Sequence, residues 1–216
     1  MRPCFVIALA AAALTACTQT PPPVPPAAAP QAQAPAPQAR PINLRGSVRK
    51  LDGNLLTVRT REGKTVVVAL APNVDVRAVL RRKLSDIKPG DYVASTSVPG
   101  KDGKLHALEV HILPERMRGL GEGQFPYDLA PNSLMTNATV QGVVRSVHGI
   151  TLTVVYKGQT AVVVVGPKTP IVTYGPGDVG LLKPGKAVMI AAAPHPDGSL
   201  TALRINAEKN GVKPPM

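Results

Sequence analysis

Tryptophan is absent, and the other aromatics are few: Phe at 5 and 125, Tyr at 92, 127, 156 and 174. Any core must therefore come from Val, Ala, Leu and Ile, which suits sheets, where β-branched side chains pack well on a pleated face. Cysteine occurs only at 4 and 17. Beyond residue 17 there is no thiol for a disulfide, a zinc–thiolate site or a Cys nucleophile. Acidic residues are scarce too, 13 against 25 Lys and Arg, for a net charge of +12. That balance admits an anionic partner, and it equally admits a basic surface with no dedicated anion site. After residue 17 no apolar run is long enough to span a bilayer as a helix. No Ser–His–Asp spacing, interior pair of carboxylates or cofactor fingerprint is recognisable, so the chain is read as non-enzymatic and without a cofactor.

The beginning of the chain has a different composition. Arg2 precedes the apolar run Phe5 to Leu14, which is shorter than a stable membrane span. The run leads into Leu14-Thr15-Ala16-Cys17, which resembles the lipobox of bacterial lipoproteins. That resemblance implies a signal peptide over 1–16, cleavage before Cys17 and acylation of Cys17, with Cys4 lost in the leader. Ordinary secretion with cleavage after Ala13 is the competing reading. Several acyl chains on one Cys hold a protein durably, at about 0.8 kcal/mol per buried CH₂. The expected partner is thus a membrane, reached through the N-terminal lipid. The expected location is the cell envelope, facing the periplasm, with the outer membrane slightly favoured over the inner.

Residues 17–42 comprise the lipid anchor and a stretch of Pro, Ala, Gln and Thr in which Arg40 is the sole charge. Such a composition buries too little apolar surface to offset ordering entropy, and it reads as a tether with polyproline II character. Beyond it the chain repeats itself. In segments 43–113 and 138–207, Gly46, Val48, Gly53, Leu56 and Val58 correspond to Gly142, Val144, Gly149, Leu152 and Val154. After a shift of one residue, Ile87-Lys-Pro-Gly-Asp-Tyr-Val93 aligns with Leu182-Lys-Pro-Gly-Lys-Ala-Val188, and Leu108 and Val110 align with Leu203 and Ile205. Register held over some seventy residues identifies a duplication.

Each copy reads as five short strands, near 43–50, 54–60, 64–70, 91–98 and 104–112 in the first. Asp52-Gly53 and Glu62-Gly63 mark tight turns, and Gly46 and Gly142 suit a bulge or bend. Ala78 to Ile87 is a candidate short helix ending at Pro89-Gly90. Val66 to Leu70 and Ala161 to Val165 are apolar at every position, which predicts a third strand buried on both faces. The expected fold is all-β, two tandem OB-like five-stranded barrels with the optional helix between strands three and four. Residues 114–137 join the barrels and 208–216 form a C-terminal tail.

The repeats resemble small OB-like domains of unknown function found in exported bacterial proteins. Their pattern is carried in the first copy by Gly46, Val48, Asp52, Gly53, Leu56, Thr57 and Val58, then Asp86, Lys88, Pro89, Gly90 and Asp91. The second copy departs from it at His148 and Lys186. These are turn and core positions, so the resemblance bears on fold.

Within the joining segment, Glu115, Arg118, Glu122, Phe125, Tyr127 and Asp128 are the candidate ligand-binding residues over a crevice between barrels. The competing reading is a connector whose glycines make turns and whose aromatics plug a gap. Glu109 and His111, two apart on strand five, are candidate metal ligands; a solvated strand face explains them as well. Arg77, Arg81, Arg82 and Lys83 form a basic cluster fit for an anionic envelope polymer or phosphate-bearing lipid; a solvated helix face explains it equally well. Nucleic acid is not an expected partner, because the binding strands offer only Tyr156 for base stacking. The functional expectation is a cell-envelope lipoprotein acting as a binding or scaffolding module, partnered by an envelope protein or an anionic polymer. The alternative is an accessory metal- or small-ligand-binding periplasmic protein that uses the joining segment.

Overall fold

The computed structural model describes residues 40–215. The leader, Cys17 and all but the last residues of the tether lie outside the described residues. The described residues are all-β, without an α-helix, and none of their helical turns is long and apolar enough to cross a membrane. The strands are β1 (Ile42–Asp52), β2 (Leu55–Thr60), β3 (Thr65–Arg81), β4 (Tyr92–Pro99), β5 (Leu105–Ile112), β6 (Gly123–Pro126), β7 (Leu134–Ser146), β8 (Gly149–Tyr156), β9 (Gln159–Val165), β10 (Ile171–Pro176), β11 (Ala187–Pro194) and β12 (Leu200–Glu208). The strand expectations for the first repeat hold within a residue or two, apart from β3. The candidate helix is replaced by four more residues of β3 and a single 3₁₀ turn, Leu84–Asp86.

Strand pairing departs from the expectation of one barrel per repeat. β1, β2 and β3 form an antiparallel meander, and β3 then pairs in parallel with β12, through Ala202 beside Leu70 and Ile205 beside Val76. β12 pairs with β11, and β11 returns to β1 with Ile190 opposite Leu44. This closes a five-stranded barrel from strands one to three of the first repeat and strands four and five of the second. The remaining strands pair in the reciprocal cyclic order, β7–β8–β9–β5–β4–β7, where β5 and β9 share two residue pairs. Both apolar cores are accordingly mixed. Val48, Leu56 and Val68 pack with Val188, Ile190 and Ile205 in one, while Leu152, Val154 and Val163 pack with Ile87, Val93 and Val110 in the other. The crossover point is the antiparallel pairing of β3 with β10, where Val79 faces Tyr174. Those residues correspond when the two Lys-Pro-Gly turns are aligned, so a pseudo-two-fold axis runs between them.

Local chemistry accounts for the turns. Gly53 and Gly63 adopt positive φ, as the turn positions after Asp52 and Glu62 require. At Gly46 a side chain would collide with the Arg59 carbonyl on the neighbouring strand, so close backbone approach is what requires glycine there. The bulges fall at Arg49 and Gln141, one beside each repeat's first-strand glycine region.

Strand three is buried on one face, contrary to the expectation of two. Val68 and Val163 are fully buried, but Val67 is 52% exposed and Val162 is 36% exposed. The apolar run reflects β-branched preference for extended backbone rather than a covered outer face. Val163→Asp is therefore expected to destabilise by about 3–5 kcal/mol, as an unpaired buried charge does, and Val67→Asp by under about 1 kcal/mol. Chemical denaturation of the two variants checks the contrast. The exchange of strands has its own test, a protease site inserted at exposed Gly119-Leu120. The cleaved halves should stay associated on native gel filtration and part only in denaturant. Halves that elute separately without denaturant would mean that each repeat closes on itself.

Candidate functional site

The joining segment does not gather its six candidate residues around one ligand. Glu115 and Arg118 lie in and just after a 3₁₀ turn, Glu115–Met117, and form a two-pronged ion pair in which Arg118 Nη2 donates to Glu115 Oε2 at 2.7 Å. Arg118 also donates to the Gly90 carbonyl at 2.9 Å and sits 6.0 Å from the centre of the Tyr92 ring. Tyr92 Oη in turn donates to the Leu120 carbonyl at 3.2 Å. Beyond the turn, β6 pairs with β7, and Glu122 Oε1 accepts from the Lys157 backbone N–H at 2.8 Å. Phe125 is 40% exposed, so it plugs no gap. Tyr127 and Asp128 belong to a third place: Arg45 Nη2 donates to Asp128 Oδ1 at 2.9 Å while its guanidinium lies 5.3 Å from the Tyr127 ring centre. Arg61 donates to the carbonyls of Asp128 and Leu129. These contacts tie the segment to the first barrel at 127–129 and to the reciprocal ring at 123–126. The contacts are those of the wrapping connector.

Glu109 and His111 do share a face of β5, but that face is interior: they are 3% and 4% exposed. β4 places Thr96 opposite both Glu109 and Met135. Thr96 Oγ1 donates to Glu109 Oε1 at 2.7 Å, and the same carboxylate oxygen lies 3.3 Å from His111 Nε2. The His111 ring packs at 5.2 Å on Tyr174 of β10, whose hydroxyl accepts from Asn206 Nδ2 at 3.5 Å. Glu109 Oε2, both ring nitrogens of His111 and Asn206 Oδ1 have no hydrogen-bond partner. Glu109 and His111 border a small cavity of about 40 Å³ that Ala94, Tyr127, Met135, Tyr174, Met189 and Pro215 also line. Burial pushes the Tyr127 phenol up to about 12, against the opposing charge of Arg45, and it raises Tyr174 as well. No set of three His, Cys, Asp or Glu residues is placed to hold a metal among the described residues. The joining-segment acids Glu115 and Glu122 are engaged elsewhere, as above. Met135, Met189, Tyr174 and Asn206 were not legible as neighbours of His111, because strands from both repeats bring them there.

A wider cavity, about 800 Å³, is a groove where β3 leaves the first barrel. Arg81, Arg82 and Lys83 line it together with Lys168 from the β9–β10 loop and Lys213 near the C-terminus. No carboxylate lines the groove, and none of these five side chains makes an ion pair among the described residues. Arg77, grouped with them in the sequence, is separated: it pairs with Asp75 and stacks 5.9 Å from the centre of Tyr174. Lys168 and Lys213 join the cluster through the fold alone. The C-terminal residues are part of this wall, with Pro214 buried.

The Asp128 contact carries a pH signature. Burial opposes its ionised form, but the hydrogen bond and charge of Arg45, with a further hydrogen bond from Asn43, outweigh it and hold the carboxyl below its ordinary value. Its contribution to stability is therefore complete above about pH 4, the unfolded-state range, and fades as pH falls toward the lower folded value. Asp128→Asn should lower the melting temperature at neutral pH, and the gap from the parent should close on acidification. A gap that persists unchanged at acid pH would point to packing rather than charge. Thermal melts across the range decide it.

No curated protein matches the chain, and no solved structure does. Residues 141–206, running from within β7 to within β12 and so through strands of both rings, match the model of a family described as a domain of unknown function (DUF5666).

Proposed function

We propose that this chain is an exported lipoprotein, anchored through Cys17 and the proline-rich tether, whose β unit is a non-enzymatic binding module for a phosphate- or carboxylate-bearing polyanion of the cell envelope. The observation that carries the reading is the 800 Å³ groove with five cationic side chains and, among the described residues, no carboxylate side chain on its walls. Anions entering such a concavity replace water around charges already held close together, and the wall is spared the cost of neutralising its own acids. The lipobox supports the location, since a surface polymer or headgroup lies within reach of a tethered module. We further read the two strand rings as OB-like barrels completed by exchange, each with the cyclic order one-two-three-five-four. In that arrangement the groove sits at the exit of a third strand, away from the barrel faces that would stack bases.

Full-length protein carrying Cys17→Ala, and therefore unacylated, provides the test. It should leave the membrane fraction and take up no labelled palmitate. It should also bind soluble polyphosphate or phosphatidylglycerol vesicles with an affinity that falls as salt rises through the screening range, a Debye length of about 10 Å at 0.1 M. Arg82→Ala with Lys168→Ala should abolish that binding while melting like the parent. Polyphosphate without vesicle binding would identify a polymer, and the reverse a lipid headgroup. Equal binding by parent and double variant would overturn the groove, and an unsubstituted Cys17 protein that takes up no labelled palmitate would overturn the anchor.

A further inference from the structure

The Glu109–His111 cavity shares Pro215 with the wall of the basic groove, but its other walls carry a different chemistry. Its walls combine an imidazole, two thioethers and a carboxylate, all drawn to one place by strands of both repeats. The contacts run continuously. Met189 Sδ lies 3.6 Å from Asn206 Nδ2, which reaches the Tyr174 hydroxyl, and the Tyr174 ring lies on His111. His111 approaches Glu109, Glu109 accepts from Thr96, and Thr96 Oγ1 is 4.0 Å from Met135 Sδ. Both nitrogens of an imidazole that is 4% exposed, together with Glu109 Oε2, lack a hydrogen-bond partner, and Nε2 has only the carboxylate contact at 3.3 Å. Leaving a buried polar atom without a hydrogen bond is costly, so a site that leaves several together is one built around an occupant.

A cavity of about 40 Å³ holds a bare ion or a few waters, at about 10–15 Å³ for each water, and excludes any organic ligand. The donor set chooses among ions. Thioethers are poor ligands for hard cations such as Ca²⁺ and Mg²⁺ and good ones for Cu(I), and imidazole suits copper as well. Arg45 and Arg77 approach the cavity through the faces of Tyr127 and Tyr174, but each is paired, with Asp128 and Asp75 respectively. We infer that His111, Met135 and Met189 form a binding site for one soft monovalent cation of the Cu(I) class, with Glu109 supplying the balancing charge.

The experiment uses the full-length protein carrying Cys4→Ala and Cys17→Ala, which has no thiol, titrated anaerobically with Cu(I) against a chromogenic chelator and in parallel with Ag(I). One equivalent should bind, and the ¹³C-methyl resonances of Met135 and Met189 should shift while that of Met117 stays in place. Met135→Leu with Met189→Leu keeps side-chain volume, which cores tolerate, and should weaken binding by more than about tenfold, as should His111→Phe. Zn²⁺, Mn²⁺, Ni²⁺ and Ca²⁺ should leave the melting temperature unchanged. Three results would overturn the inference: no Cu(I) or Ag(I) binding above that of the double variant, unmoved methionine methyls, or a saturable shift with Zn²⁺ or Ca²⁺ that survives loss of both thioethers. The first two would leave the cavity as a water site.

Discussion

The parallel pairing of β3 with β12 is the contact on which the rest of the structure depends. It joins a strand near the start of the folded chain to the one at its end, and with it each closed ring acquires strands from both repeats. The apolar cores are mixed for that reason. So is the polar cluster on β5: Glu109 and His111 come from the first repeat, while Tyr174, Met189 and Asn206 come from the second. The groove has the same origin, since Arg81 to Lys83 on one repeat meet Lys168 on the other where β3 runs beside β10.

Much of this was legible in the sequence at the level of strands and turns. Alternation at Leu56 and Val58, and glycine after Asp52 and Glu62, mark β1, β2 and the start of β3 within a residue or two. Strand pairing was not legible, because the exchanged strands are chemically interchangeable: Val93 corresponds to Val188 and Val110 to Ile205, so either pair fills either core. The outer face of strand three was misjudged for a related reason. Val67 and Val162 are valines because the backbone is extended, and their exposure is invisible to a count of apolar positions. For the candidate site, Glu109 and His111 were recognised as sharing a face, yet their burial depends on β10 and β11, far away in the chain.

Charge sorts into two populations that composition merges. Arg45, Arg77 and Arg118 each lie over a tyrosine ring and beside a carboxylate. Arg45 and Arg77 are the buried ones, placed where cation–π and ion-pair contacts are worth more than at a free surface, while the Arg118–Glu115 pair lies at the surface. The groove cations have no such partners. The excess of basic residues is therefore partly structural, and only the unpartnered part is free to meet another molecule.

Strand exchange also sets the order in which the molecule can come into being. The first barrel lacks a closing strand until Leu200–Glu208 exists, and the reciprocal ring lacks one until Gln159–Val165 does. A chain emerging from the ribosome thus has no complete barrel to form until most of it has been made, and contacts of such long sequence separation form slowly even then. For the exported protein proposed above, that delay would keep the chain unfolded while it is threaded end-first through a narrow pore.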